Sequence, residues 1–379
     1  MKSDQNYKIC TRCIMDISDP QIEFDENGVC NHCHKFDKDV MLYGYKGKET
    51  DRELRKLVKE MKEYGKGKEY DCILGISGGV DSAYMAYLAH KLGLRVLAVH
   101  VDAGWNSEIA VENIQKMCKA LNMDLHTIVI DWQSMKELQR AYMFSGLANL
   151  DVPQDHVFLA AMYAYAKKYK IKYMLNGSNL ATEGILPGAW GYASTDFRNI
   201  KSVYKKCGRK QPIFRKYPHF GIVKYFYYQM TIKRIKILNY VPYSKKGAME
   251  VLEREFDWKY YGGKHFESRF TKFFQSYYLP QKFHYDKKRA HLSSLVVGGE
   301  MTREEALKEI DDVDTYTMEE MLGDRDYILK KLEISEKQWN KIMQAPNKTE
   351  DDYASYKKLI VFLVKVKRLL QICKGRVKA

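Results

Sequence analysis

No stretch of this chain stays apolar for the roughly eighteen residues that a bilayer span needs. The strongest run, Leu359 to Val364, is cut short by lysine and arginine. A transmembrane helix is therefore not expected. The opening MKSDQNYKIC lacks an apolar core and a small-residue cleavage site, so it does not read as a signal peptide, and the cytoplasm is the expected location. There is no internal repeat. With 45% hydrophobic and 29% charged residues, the composition excludes a disordered or collagen-like chain. At 379 residues it can bury one large core or two ordinary ones. Acidic residues are in deficit. The 63 Lys and Arg exceed the 48 Asp and Glu by 15, which suits a nucleotide, a nucleotide-sugar, RNA or an acidic membrane surface, or simply a solvated surface.

Eight cysteines are present, and their placement separates them. Cys10-x-x-Cys13 and Cys30-x-x-Cys33 are two close pairs sixteen residues apart, while Cys72, Cys118, Cys207 and Cys373 are scattered. Without a secretory leader, the pairs read as metal ligands and the rest as ordinary thiols. Two such knuckles can present four thiolates tetrahedrally to one zinc, and Gly28 supplies the turn before the second. A closed four-thiolate site has no open position for catalysis, so the zinc would be a structural staple or a nucleic-acid contact. His32 and His34 lie beside a complete ligand set and read as surface residues.

Asp51 to Lys62 repeats Leu54, Leu57, Val58 and Met61 at helical spacing. From residue 70 strands and helices alternate: strand 72–76, helix 82–92, strand 96–101, helix 108–121, strand 126–130, helix 157–169, strand 173–175. Repeated βαβ units predict an α/β fold, a Rossmann-like doubly wound parallel sheet with ligands at the carboxyl ends of its strands. Residues 186–245 mix Gly, Pro and aromatics with Lys and Arg and read as irregular, with a surface helix near 223–238. The last third reads as helical, with capping boxes at Thr302-x-x-Glu305 and Ser335-x-x-Gln338.

Ser77-Gly78-Gly79-Val80-Asp81-Ser82 sits directly after a buried strand and before a helix. Glycines let backbone wrap an anion, the helix start adds a positive dipole end, and hydroxyls donate to phosphate oxygens. The loop lacks the lysine of a Walker P-loop. It resembles the Ser-Gly-Gly-x-Asp-Ser signature of the PP-loop ATP pyrophosphatases. That resemblance implies ATP binding by Ser77, Gly78, Gly79, Asp81 and Ser82, places Asp102 by the ribose or adenine, and lets Asn176, Gly177 and Glu183 line the pocket, Glu183 helping to hold Mg²⁺.

Lys264-His-Phe-Glu-Ser-Arg269 and Asp286-Lys-Lys-Arg-Ala-His-Leu-Ser-Ser294 form a basic, aromatic stretch that by itself could be a solvated face or an RNA surface. Together with the knuckles and the PP-loop it is similar to the N-acetyl sugar amidotransferases of bacterial surface-polysaccharide or flagellin-sugar biosynthesis. The resemblance runs from about Ile9 to Leu307. It implies catalytic roles for Asp81, Lys287 and Arg289, the last two as pyrophosphate ligands. The family motif more often reads Asp-Lys-Arg-Arg, and Lys288 replaces its fork-shaped donor by a point charge. The implied layout is a zinc-ribbon module at 1–45 with Cys10, Cys13, Cys30 and Cys33 on Zn²⁺, a helical connector at 46–69, an ATP-binding domain at 70–245 and a mainly helical region at 246–379 that completes the site.

The implied reaction adenylates an acetamido oxygen with ATP and Mg²⁺, releases pyrophosphate, and lets ammonia expel AMP. It needs clamps and positioning more than a nucleophile. The implied substrate is a nucleotide-activated N-acetyl sugar. No glutaminase elbow or N-terminal catalytic Cys is visible, so separate glutaminase/cyclase-like subunits would supply ammonia. Nucleic acid is not the expected partner, and peripheral membrane contact by 212–246 stays open. The competing readings are a PP-loop tRNA-modifying enzyme, a thiolase or lysidine-synthetase type, and a nucleotide-binding zinc-ribbon protein without catalysis. Against the thiolase, which generally needs a catalytic Cys pair, no Cys-x-x-Cys exists beyond the two knuckles.

Overall fold

The computed structural model describes residues 7–191, 194–312 and 315–361; Cys373 and the end of the 359–364 run lie outside them. Two short antiparallel bridges, Ile9 with Asp16 and Phe24 with Cys30, close the cysteine knuckles. Helix α1 (Asn31–Tyr43) follows, then α2 (Lys48–Gly65), which buries Leu54, Val58 and Met61 and runs longer at both ends than its apolar repeat indicates.

The central sheet alternates with helices in chain order: β1 (Cys72–Gly75), α3 (Val80–Lys91), β2 (Val96–Asp102), α4 (Glu108–Ala120), β3 (Asp124–Val129), α5 (Trp132–Met143), α6 (Val152–Lys168), β4 (Tyr173–Leu175), α7 (Leu180–Glu183), α8 (Phe197–Cys207), α9 (Ile222–Thr231), β5 (Lys233–Ile235) and α10 (Lys245–Phe256). All strands pair in parallel, in the order β3-β2-β1-β4-β5. Successive strand residues face opposite sides. Ile73, Leu97, Val99 and Met174 accordingly join a core with α5, α6 and α8, whereas Leu74, Val96, Ala98 and Leu175 join one with α3, α4 and α10. Helices thus cover both faces, as the βαβ pattern predicts.

Two elements depart from the sequence reading. The helix expected over 223–238 ends at Thr231, and Lys233–Ile235 becomes the edge strand β5. Only three residues long, with two of them exposed, that strand has no alternation to reveal it; the hydrogen bond from Lys233 N to Lys172 O starts its pairing. Helix α5 was not expected. It buries Ser134, Lys136, Glu137 and Gln139 alongside its apolar residues, which erases the polar face by which helices are recognised.

Six α-helices of the last third follow among the described residues: α11 (Arg269–Phe273) continues through a π-turn into α12 (Leu279–Phe283), then α13 (Lys287–Val297), α14 (Arg303–Ile310), α15 (Met318–Lys331), with α16 (Glu336–Gln344) ending the series. Phe270, Phe274, Ile328 and Trp339 pack into the same core as α5 and α6. Both expected capping boxes are present, at Thr302 and Ser335. Helices α13 and α14 seat on the cysteine module: Ile14, fully buried, packs with Leu292 and Ala306, a burial worth roughly 2 kcal/mol. Among the described residues, no helix is long and apolar enough to cross a membrane.

Candidate active site

The chain leaves β1 towards β2 and β3 on one side, and β4 and β5 lie on the other, so the order reverses between β1 and β4. In open α/β sheets ligands bind at that crevice, beyond the carboxyl ends of the strands. The loop Ser77–Ser82 follows β1 and the loop Asn176–Asn179 follows β4, so both predicted polar loops meet there.

The first loop is a preformed cradle. Ser82 Oγ donates to Gly79 O (3.0 Å) and accepts from Ser77 N (3.2 Å), and the two hydroxyls are 3.1 Å apart. Gly78 has φ +83, and a Cβ there would lie 2.4 Å from the carbonyl oxygen of Ala110, so glycine is required. The Trp258 indole donates to Gly78 O (3.1 Å) and Val80 N donates to the Tyr261 hydroxyl (3.3 Å), which fastens the loop to the strap at 259–268. Asp81 accepts from Asn179 Nδ2 (3.2 Å), Thr182 Oγ1 (3.3 Å) and the Tyr243 hydroxyl. Its burial pushes its carboxyl above the usual range, with Lys264 pulling the other way.

A cavity of about 200 Å³ lies over the cradle, lined by Ser77, Gly79, Asp81 and Ser82, by Asn176 and Gly177, and by Glu183. It shares Ser77, Glu183, His265 and Glu267 with a larger one of about 670 Å³. Glu183 pairs with Lys264 at 3.2 Å; burial raises its pKa, but Lys264 and His265 outweigh that and hold it below the usual range. Glu267 lines both cavities, and its buried Oε2 has no hydrogen-bond partner, so a cation between Glu183 and Glu267 fits the carboxylates present.

Lys287 enters the larger cavity from the start of α13. Burial pushes its pKa down to about 8, partly offset by Asp151 and Asp155. Those two carboxylates line the same cavity, raised by burial to about 7 and about 6. They were missed in the sequence, where only their i, i+4 spacing at the start of α6 marked them. His291 also lines the cavity; burial, then the neighbouring cations, drives its pKa well below the usual value and leaves it a neutral imidazole.

Two predicted ligands face elsewhere. Arg289 donates to Ile14 O (2.8 Å) and pairs with Asp16 (3.2 Å), so its guanidinium holds the cysteine module to α13 rather than reaching the cradle. Asp102 accepts from Gly104 N (2.7 Å) and Asn106 Nδ2 (3.1 Å), shaping its own loop, while Val101 and Asn106 line the cavity. Lys288, expected to be no bidentate ligand, donates to Asp312 O at 2.9 Å.

The four knuckle cysteines are buried, with their Sγ atoms within 4.8 Å of one another and neighbouring pairs at 3.7 to 3.9 Å. Tetrahedral zinc with bonds of about 2.3 Å separates its sulfurs by about 3.8 Å, so the set fits that ion. Backbone N–H groups of Arg12, Cys13 and Cys30 donate to Cys10 Sγ at 3.2 to 3.4 Å, and Gly28 takes the turn at φ +76. His32 and His34 bond Asp19 and Asp25 instead.

Residues 52–218, which include the cradle, match the NAD synthase family model, and residues 267–367 match that of the LPS biosynthesis protein WbpG-like C-terminal domain. The chain joins a PP-loop ATP pyrophosphatase domain to a WbpG-like domain. That is the pairing the sequence resemblance leads one to expect. The PP-loop domain is similar to tRNA(Ile)-lysidine synthase of Chlamydia pneumoniae (28% identical, covering 28% of this chain and 37% of that protein). It is also similar to 7-cyano-7-deazaguanine synthase of Helicobacter pylori (26% identical, 35% of this chain and 62% of that one). The chain thus spans about a third to three-fifths of these relatives. Among solved structures, NMN synthetase from Francisella tularensis matches with TM-score 0.31 at 19% identity, over 56% of this chain and 94% of that one. In the assembled site, then, the PP-loop domain supplies the cradle and the WbpG-like domain supplies Glu267, Lys287 and His291.

Proposed function

We propose that the protein is an ATP-dependent, AMP-forming amidotransferase that turns the acetamido group of a nucleotide-activated N-acetyl sugar into an acetamidino group, for bacterial surface-polysaccharide or flagellin-glycan synthesis. One observation carries the reading: the phosphate cradle of the PP-loop domain opens into a cavity of about 670 Å³ whose facing wall is built by a segment that matches an LPS-biosynthesis domain. The substrate's carbonyl oxygen attacks the α-phosphorus of ATP while the bond to the β-phosphate breaks. Ser77, Gly78, Gly79 and Ser82 receive the departing pyrophosphate, and the Lys287 ammonium compensates its charge. Mg²⁺ held by Glu183 and Glu267 would neutralise developing phosphate charge. The amide N–H proton leaves to solvent as the imidate forms; ammonia then adds to the imidate carbon, the C–O bond to AMP breaks, and the amidinium keeps ammonia's protons. Neutral His291 donates or accepts a hydrogen bond without adding charge. Zn²⁺ on the four cysteines would staple the module that seats α13. Separate glutaminase and cyclase-like subunits deliver the ammonia, in the cytoplasm.

The test is incubation of the full chain with ATP, Mg²⁺, ammonium and a panel of UDP- and CMP-linked N-acetyl sugars or, separately, bulk tRNA, measuring AMP, pyrophosphate and product mass. A sugar product about one mass unit lighter, with AMP formed only when sugar is present, is expected. AMP formation driven by tRNA and by no sugar would replace this reading with RNA modification.

A further inference from the structure

Behind the strap at 259–268 lies another cavity, of about 340 Å³, walled by the strap, α11 and α13. It shares Lys287 and His291 with the large cavity and Lys245 and Lys264 with the one over the cradle, so it adjoins both. We infer that this third chamber seats the nucleoside diphosphate of the activated sugar, leaving the sugar's acetamido group to reach past Lys287 towards the cradle. The inference deepens the amidotransferase reading and rests on it.

Charge is the first argument. Five lysines line the chamber, Lys272 and Lys288 besides the three named, against Asp286, Glu309 and Asp312. One oxygen of Asp286 is spent capping α13 through Arg289 N. Lys264 is paired with Glu183, but Lys245, Lys272 and Lys287 form no ion pair among the described residues. Lys287 is 9% exposed and Lys272 is partly buried, with a pKa lowered first by that burial. Holding unpaired ammonium groups in a concave site costs solvation energy, which a diphosphate would return through charge-assisted hydrogen bonds.

Shape is the second. Tyr260, Phe266 and Tyr316 present rings to the chamber, Phe266 and Tyr316 edge to face at 5.6 Å, with Lys272 Nζ 3.8 Å from the Tyr316 centroid. Aromatic planes beside clustered ammonium groups suit a planar base joined to phosphates. The NAD synthase match ends at residue 218, before the strap, and much of the chamber's wall lies in the WbpG-like match. An acceptor site belongs in such a segment, since it serves a substrate that an ATP cradle by itself does not select.

The experiment titrates UDP into the full chain saturated with α,β-methylene-ATP, which cannot release pyrophosphate, using calorimetry. Simultaneous binding of both is expected, and Lys272→Ala should weaken UDP at least about tenfold, by loss of a charge-assisted contact, while the ATP analogue binds within about twofold, which also reports an intact fold. Lys288→Ala should weaken UDP less. The inference is overturned if UDP displaces the analogue, if both variants bind UDP like the parent, or if farnesyl diphosphate binds where UDP does not. UDP bound in this way with no sugar amidated would support the site and refute the chemistry, so the two failures are distinguishable.

Discussion

The loop Ser77–Ser82 draws its donors from a strand and a helix adjacent in sequence, whereas the wall facing it presents Lys287 and His291 from a helix seated by residues on the far side of the chain. Ile14 N donates to Ser293 Oγ across 279 positions, Arg289 grips Ile14 and Asp16, and Arg303 donates to the carbonyls of Cys10 and Cys13. The cradle is built from backbone and hydroxyl groups. The wall works with long side chains whose position depends on a remote, metal-type module. A cradle that is local can be reused with many acceptors; a wall that is not must be built for its own.

The sharpest way to break this contrast is Gly78→Ala. At φ +83, with Ala110 O 2.4 Å from the new Cβ, the loop must distort, and AMP formation should fall about a hundredfold or more, as when a phosphate or oxyanion donor is lost. Retained binding of an ATP analogue would mean that the phosphates sit elsewhere. Next in size is loss of the metal site. Cys30→Ser or chelation should abolish bound zinc and speed hydrogen exchange across 287–297, while exchange across 80–91 and binding of the ATP analogue hold. Equal loosening of both helices would show that the two regions do not depend on different supports.

A pH series separates them further. With the Lys287 pKa near 8 rather than the ordinary lysine value, the folded state binds fewer protons than the unfolded one between pH 8 and about 10.5, so stability rises with pH there. Pyrophosphate affinity runs the opposite way, falling up to about tenfold per pH unit above 8 as the ammonium loses its charge, and Lys287→Arg should flatten the slope. An unchanged slope in that variant would remove Lys287 from the pyrophosphate. The smallest effect is expected for Asp102→Asn. Its carboxylate serves Gly104 and Asn106, so the KM for ATP should move less than about fivefold. A larger rise would restore the direct nucleotide contact that the sequence suggested.

Much of this was legible before folding. The parallel sheet followed from apolar strands alternating with amphipathic helices, and the strand Tyr173–Leu175 appears with the expected limits. The cysteine set followed from its spacing. Illegible were α5, whose buried polar residues hide its period, and β5, too short to show one. Within the site, Arg289 read as a pyrophosphate ligand because the family resemblance implies one at its motif. Only the packing of Ile14 under α13 revealed that it is committed to Asp16.

By itself, then, the sequence determined what short-range covalent order can encode: the glycine turn that only an achiral residue can make, the strand period of two, and the ligand spacing of the knuckles. The tertiary structure alone decided which charged side chains share a chamber. Asp151 and Lys287 lie far apart in the chain, and their pKa values depend on burial and on neighbours brought together by the core. Desolvation and Coulomb interaction act through space, so no reading along the chain could assign them.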